Sequence, residues 1–372
     1  MNVGLDGDSL TIDKLVSVAR NNSNVEITDK SWKRIESCRN MLQSKIDSHE
    51  IMYGITTGIG EFSEVTLTPE QTKEFQKLLV RNHAAGIGKP MDIELVRGAM
   101  CGRINVHLKG YSGGRKIITE YLKNVLNHQI TPVVCEKGSV GACGDLAPMS
   151  QIALALMGEG EMFVDGDIIN SKTALEKIGL EPLELEARDG LALINGSNVL
   201  TALAALILYD AERWMKMHDI AAAMTLEALK ANMKPYDERI HTLRGFKGSQ
   251  KIAANLNLLT AESEILFSGE KKVQDAYSMR STPQVAGSLR DSLDYAREQV
   301  ETELNGVGDN PVFLTKEKEV LTGANFQGTP IALPMEMIGT GLSMVAVLSE
   351  RRLNRLTNPA LSVGLPPFLT EK

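Results

Sequence analysis

Cysteine, aromatic side chains and clustered positive charge are all scarce in this 372-residue sequence. The four cysteines, Cys38, Cys101, Cys135 and Cys143, form no CxxC pair, and no HExxH motif accompanies them. Neither a disulfide framework nor a metal site is therefore expected. Cys38, Cys101 and Cys135 read as small apolar residues or surface thiols. Forty Lys and Arg against 47 Asp and Glu give a formal charge of -7, and no dense basic stripe is interleaved with aromatics. Nucleic acid is not an expected partner. The segment Met1 to Asp6 lacks the basic and apolar regions of a signal peptide, and no uninterrupted apolar run has bilayer length. A cytoplasmic protein with no membrane partner is the default expectation.

What the sequence does contain is punctuation in its first half and long helical patterns in its second. Thr28 or Asp29 caps an amphipathic stretch carrying Trp32, Ile35 and Leu42. Thr68-Pro69-Glu70 is a helix start that leads through Phe75, Leu78 and Leu79 to Arg81-Asn82-His83, placing His83 at a helix end. Further helices are predicted over 93–108 and 115–128, and Asp165-Gly166 between apolar runs predicts a tight hairpin. The stretch 198–232 has no Pro or Gly and reads as one long helix, followed by others over 283–304 and from Pro334 to about Leu356. The fold class is mainly α: an elongated bundle of long helices (191–372) with a smaller mixed N-terminal region (1–190) carrying the loops of a site.

The most unusual segment is Ser139-Val140-Gly141-Ala142-Cys143-Gly144-Asp145-Leu146-Ala147-Pro148. Gly141 and Gly144 permit backbone approaches that larger side chains block. Alone, it reads as a structural turn capped by Asp145. A second glycine-rich segment, Tyr53-Gly54-Ile55-Thr56-Thr57-Gly58-Ile59-Gly60, could be a flexible loop or a phosphate cradle. A cradle wants a Walker lysine or a preceding strand, and neither is evident.

Taken together, these segments resemble the aromatic amino acid ammonia-lyase family, most closely its histidine branch. That family carries Ala-Ser-Gly-Asp-Leu-Ala-Pro and Tyr-Gly-x-x-Thr-Gly-x-Gly. Further matches follow in the family's order: Asn195 in Leu193-Ile194-Asn195-Gly196-Ser197, the run Val273 to Arg280 followed by Pro283-Gln284, Gly308-Asp309-Asn310-Pro311, and Asn325-Phe326-Gln327-Gly328. The resemblance covers about Tyr53 to Phe368. It implies that Ala142, Cys143 and Gly144 cyclise autocatalytically into a methylidene-imidazolone electrophile, with no dissociable cofactor. The Gly144 nitrogen attacks the Ala142 carbonyl, and two eliminations leave an exposed methylene. This chain departs from the family at Cys143, where the family has Ser. A thiol is far more acidic than an alcohol and leaves more readily, whereas the larger sulfur must fit a tight loop.

The resemblance further assigns Tyr53 as catalytic base, although a phenol titrating near pH ~10 needs a polarising environment to act so. Arg280 would hold the substrate carboxylate through its planar fork of donors. Tyr277, Asn195 and Gln274 would orient electrophile or substrate, and Phe326 would shield the site. His83 in Arg81-Asn82-His83-Ala84-Ala85-Gly86 favours histidine as substrate, since it can exchange a hydrogen bond with an imidazole.

The implied reaction converts L-histidine to trans-urocanate and ammonia. A tyrosine or phenylalanine lyase, an aminomutase, and an inactive or uncyclised helical scaffold stay open as alternatives. The family assembles as a homotetramer whose sites combine residues of several subunits. Family chains continue with further helices that enclose the site and supply an acidic residue there; the bundle 191–372 is expected to lack these.

Overall fold

The computed structural model describes residues 2–141 and 143–370 and is mainly helical, with only short strands. Two compact units emerge, one from Met1–Leu206 with Gln299–Ala332, the other from Ile207–Glu298 with Leu333–Lys372.

The first unit is organised around the helix Ile93–Leu108, in which every residue from Val96 to Leu108 is buried. Such a helix has no polar face to give to water, so its polar side chains must find partners inside. Arg97 does so by donating to the Val18 and Leu126 carbonyls (2.9 and 3.1 Å). His107 donates from Nε2 to the Ala192 carbonyl (2.8 Å), which fixes its tautomer and leaves Nδ1 to accept from the Thr119 hydroxyl (2.9 Å). Burial beside Arg103 pushes the His107 pKa down to about 3. Gly98 brings the helix close to its neighbour, since a Cβ there would lie 3.1 Å from that of Ala202.

Around this helix, a parallel strand pair (Asn2–Leu5 with Asn24–Ile27) is joined by the helix Ile12–Arg20. Cys38, Leu42, Met52, Ile55 and Phe313 form an apolar cluster. Helix Pro69–His83 starts as predicted, with a reciprocal capping box between Thr68 and Gln71 and Pro69 in its first turn. The hairpin is present as Glu161–Val164 paired with Asp167–Asn170, with Asp165 and Gly166 both at positive φ (53° and 93°). Cys38 and Cys101 are buried, Cys135 half-buried and Cys143 exposed.

The long helices are present, with two boundary differences. Asn198–Ala228 stops short of Asn232 because the chain turns at Lys230 (φ 51°) and the Asn232 backbone donates to the Asp275 carboxylate (2.6 Å). Thr329–Thr357 begins before Pro334, which lies inside it. Thr329-Pro330 is itself a first-turn signal, and one interior proline costs a hydrogen bond without ending a helix of 29 residues. By length and composition alone, Asp189–Ala228 and Thr329–Thr357 could cross a membrane, although 83% of the first one's apolar window is buried inside the protein. The second carries exposed Leu333, Met344 and Val347.

Thr68→Ala removes one half of the capping box and is expected to lower stability by about 1 kcal/mol in chemical denaturation. For His107 the folded-state pKa lies below the unfolded value of 6.5. Its contribution is therefore complete above pH 6.5 and is lost as pH falls toward 3. His107→Gln should flatten the fall of melting temperature over that range.

Candidate functional site

The turn that carries Cys143 rests on two glycines. Gly141 and Gly144 form an antiparallel bridge across two residues and both sit in the left-handed region (φ 71° and 78°). Ala142 lies outside the described residues. A Cβ on Gly144 would meet the Gly196 carbonyl carbon and oxygen at 2.6 Å, so the turn lies directly on the Asn195-Gly196 backbone. Two hydrogen bonds hold it there. The Asp145 backbone donates to the Gly196 carbonyl (2.9 Å), and the Asn195 side-chain amide donates to the Cys143 carbonyl (3.1 Å).

Asp145 does not cap its own helix, Leu146–Leu156. Its buried carboxylate accepts instead from the Ser139 hydroxyl (2.7 Å) and from the Leu200 backbone (2.9 Å), at the N-terminus of the following long helix. That position suits a carboxylate, because the first N–H groups of a helix have no partner within it. Burial pushes the Asp145 pKa up, against the opposing pull of these donors.

Tyr53 sits on a segment that closes largely on itself. The Met52 carbonyl accepts from Ile55, Thr56 and Thr57, Gly58 donates to Val65, and Leu67 donates to Thr56. The Tyr53 hydroxyl accepts from the Gly60 backbone (3.3 Å). Behind the segment, the Gln76 amide donates to the Gly54 carbonyl (3.4 Å). A third strip is anchored by the Ser197 hydroxyl donating to the Phe326 carbonyl (2.6 Å), and by the Gly323 backbone donating to the Asn310 side chain (2.7 Å).

These pieces surround a cavity of about 630 Å³ lined by Tyr53, Cys143, Asn195, Asn310 and Phe326, with Glu64 as its carboxylate. Polar and apolar side chains line it together with the exposed Cys143, which is the arrangement of a small-molecule site. His83 is the last residue of Pro69–His83, whose Leu79 lines the cavity, and its Nδ1 donates to the Leu79 carbonyl (2.8 Å). That bond leaves Nε2 of the neutral ring as an acceptor.

Gln274, Tyr277 and Arg280 belong to the second unit and line a different cleft, of about 550 Å³. There the Gln274 carboxamide oxygen faces the Arg280 guanidinium, which also lies 4.2 Å from the Tyr277 ring centroid. The short helix Tyr277–Arg280 is held through its Met279 carbonyl, which accepts from the Tyr236 and Thr282 hydroxyls (2.6 and 2.7 Å). Tyr277 is 73% exposed.

Sequence reasoning missed Glu64, whose loop position carries no signal of its own. It also missed Arg103 and Arg188, which are fully buried on the Asp309 carboxylate (2.8 and 2.6 Å). Asp309 was visible only as part of the Gly308 to Pro311 match.

The family model described as aromatic amino acid lyase matches residues 10–372. The chain belongs to the aromatic amino acid lyase family. Among its relatives, the histidine ammonia-lyase of Alkaliphilus metalliredigens is 42% identical over 371 residues, which cover all of this chain and 73% of that protein. Two solved structures are similar in fold. The histidine ammonia-lyase of Trypanosoma cruzi aligns with a TM-score of 0.89 at 34% identity, over 99% of this chain and 69% of that one. The tyrosine aminomutase of Streptomyces globisporus aligns with a TM-score of 0.92, also at 34% identity, over 99% and 73%.

Gly144→Ala combines a left-handed backbone with a backbone collision and is expected to lower stability by about 1–3 kcal/mol, measured by chemical denaturation. An unchanged midpoint would mean that the turn is not seated on Gly196.

Proposed function

We propose that this protein eliminates ammonia from L-histidine to give trans-urocanate, using a methylidene-imidazolone group made from Ala142, Cys143 and Gly144. The observation that carries this reading is the Gly141–Gly144 turn, which opens Cys143 into the cavity while Asn195 holds its carbonyl. The turn suits cyclisation because its ends are already paired across two residues and Gly144 has no room to be anything larger. Once formed, the group supplies an electrophilic methylene carbon that makes the substrate nitrogen a better leaving group.

The remaining work falls to side chains. The Asn195 amide, donating to the Cys143 carbonyl, draws electron density away from the reacting carbon. Tyr53, with its oxygen held by the Gly60 N–H, takes the substrate's β-proton. Phe326 walls the cavity against water. His83, its Nδ1 committed to Leu79, offers Nε2 to the N–H of a substrate imidazole. A phenyl ring offers no donor to that acceptor, which supports histidine over phenylalanine.

Arg280 binds the substrate carboxylate, with Tyr277 and Gln274 beside it, and these three come from another subunit of a cytoplasmic homotetramer. Their separate cleft, the exposure of Tyr277, and the exposed Leu333, Met344 and Val347 support that placement. The fold similarity to a tyrosine aminomutase keeps one other outcome in view, in which ammonia returns to the β-carbon.

The test is urocanate absorbance with L-histidine, product analysis with L-tyrosine and L-phenylalanine, and intact mass on the same sample. Loss of one water and one hydrogen sulfide together with urocanate formation is expected; a full unmodified mass with no turnover would support a silent helical scaffold instead. Tyr53→Phe should lower kcat by about 10²–10⁴-fold while keeping the mass loss. Arg280→Ala should act mainly on KM, because it removes a group that binds substrate and transition state alike.

A further inference from the structure

Arg103 lies beneath the electrophile turn. Its Nη1 donates to the Asn195 and Gly308 carbonyls (3.1 and 3.0 Å), its Nε donates to the Ala192 carbonyl (2.6 Å), and its Nη2 donates to both the Ala192 carbonyl and the Asp309 carboxylate, the latter at 2.8 Å. A Cβ on Gly196 would lie 2.8 Å from Arg103 Nη1, and a Cβ on Gly144 would lie 2.6 Å from the Gly196 carbonyl. Guanidinium, Gly196 and Gly144 are therefore stacked in direct contact. The other Asp309 oxygen accepts from Arg188 (2.6 Å), which also donates to the Asn310 carbonyl (3.0 Å). Every charged group in this set is fully buried.

We infer that Arg103, oriented by Asp309, is a positioning residue for the electrophile: it sets the Asn195-Gly196 backbone so that the Asn195 amide meets the Cys143 carbonyl and the turn is seated for ring closure. The inference rests on the reaction proposed above. Three donor bonds of one planar fork fix the Ala192 and Asn195 carbonyls, and a fourth fixes that of Gly308. Lysine, a point charge on a flexible stem, cannot reproduce them. Asn310, which also lines the cavity, is fixed to the same carboxylate by its own N–H and through Arg188.

The test compares Arg103→Lys with Arg97→Lys. Arg97 is equally buried in the same helix and also donates to carbonyls, but at Val18 and Leu126. Both variants should lose thermal stability. Only Arg103→Lys should show a reduced fraction of chains carrying the cyclised mass. Its fully cyclised fraction should show kcat lower by roughly 10²-fold, the cost of misplacing reacting groups, with KM close to that of the parent. Should Arg103→Lys fail to fold, Asp309→Asn, which keeps the shape and removes the charge that orients Arg103, carries the same expectation. Cyclised fraction and kcat in Arg103→Lys or Asp309→Asn that match those of Arg97→Lys would overturn the positioning role while leaving the reaction intact. A parent protein with neither cyclised mass nor turnover would overturn both.

Discussion

One carboxylate shared between two buried guanidiniums, Asp309 between Arg103 and Arg188, is the constraint on which the first unit's site depends. Burying three charges is costly, and the attraction among them offsets that cost only when the remaining donors and acceptors are also satisfied. Here the arginines spend their other N–H groups on main-chain carbonyls of 112, 192, 195, 308, 310 and 311. Electrostatic necessity thereby becomes geometry, because segments far apart in the chain are held where a carboxylate and two forks of donors dictate. Arg188 accepts a left-handed backbone (φ 76°) to take its place in this set.

The parts of this arrangement that were legible in the sequence are those whose physics is local. Glycines that must turn or touch, a threonine followed by proline and glutamate at a helix start, and Asp-Gly between apolar runs each declare their geometry within a few residues. The helix periodicity was legible for the same reason. Arg103 was not, because it lies 206 residues from Asp309 and an arginine in a helical pattern reads by default as solvent-facing. Asp145 reads as the cap of its own helix, whereas its carboxylate serves the N-terminus of the long helix Asn198–Ala228. The helix boundary at Pro334 was misplaced because proline's local rule is outweighed by an earlier start. Tyr53 and Arg280 share a family resemblance, yet they line different cavities in different units, and nothing in their spacing reveals it.

Cys143 illustrates how chemistry and packing separate. Its leaving-group chemistry follows from the element alone, but its accessibility follows from two glycines and an asparagine. The two other cysteines resolved as buried, Cys38 and Cys101, have thiol pKa values pushed up to about 11 and about 12 by burial. Thiolate character is suppressed there, so thiol chemistry in this unit is steered away from the core.

The segment bearing Tyr53 has a mechanical consequence. Because its hydrogen bonds close mostly within residues 52 to 67, with the Gln76 to Gly54 bond as a tie to the helix behind, it is built as a cassette. Met52 and Ile55 root the cassette in the apolar cluster with Cys38, Leu42 and Phe313, while the contact between Tyr53 and Gly60 closes within it. A hydroxyl mounted this way is anchored to the core from below and takes its orientation from the loop that carries it.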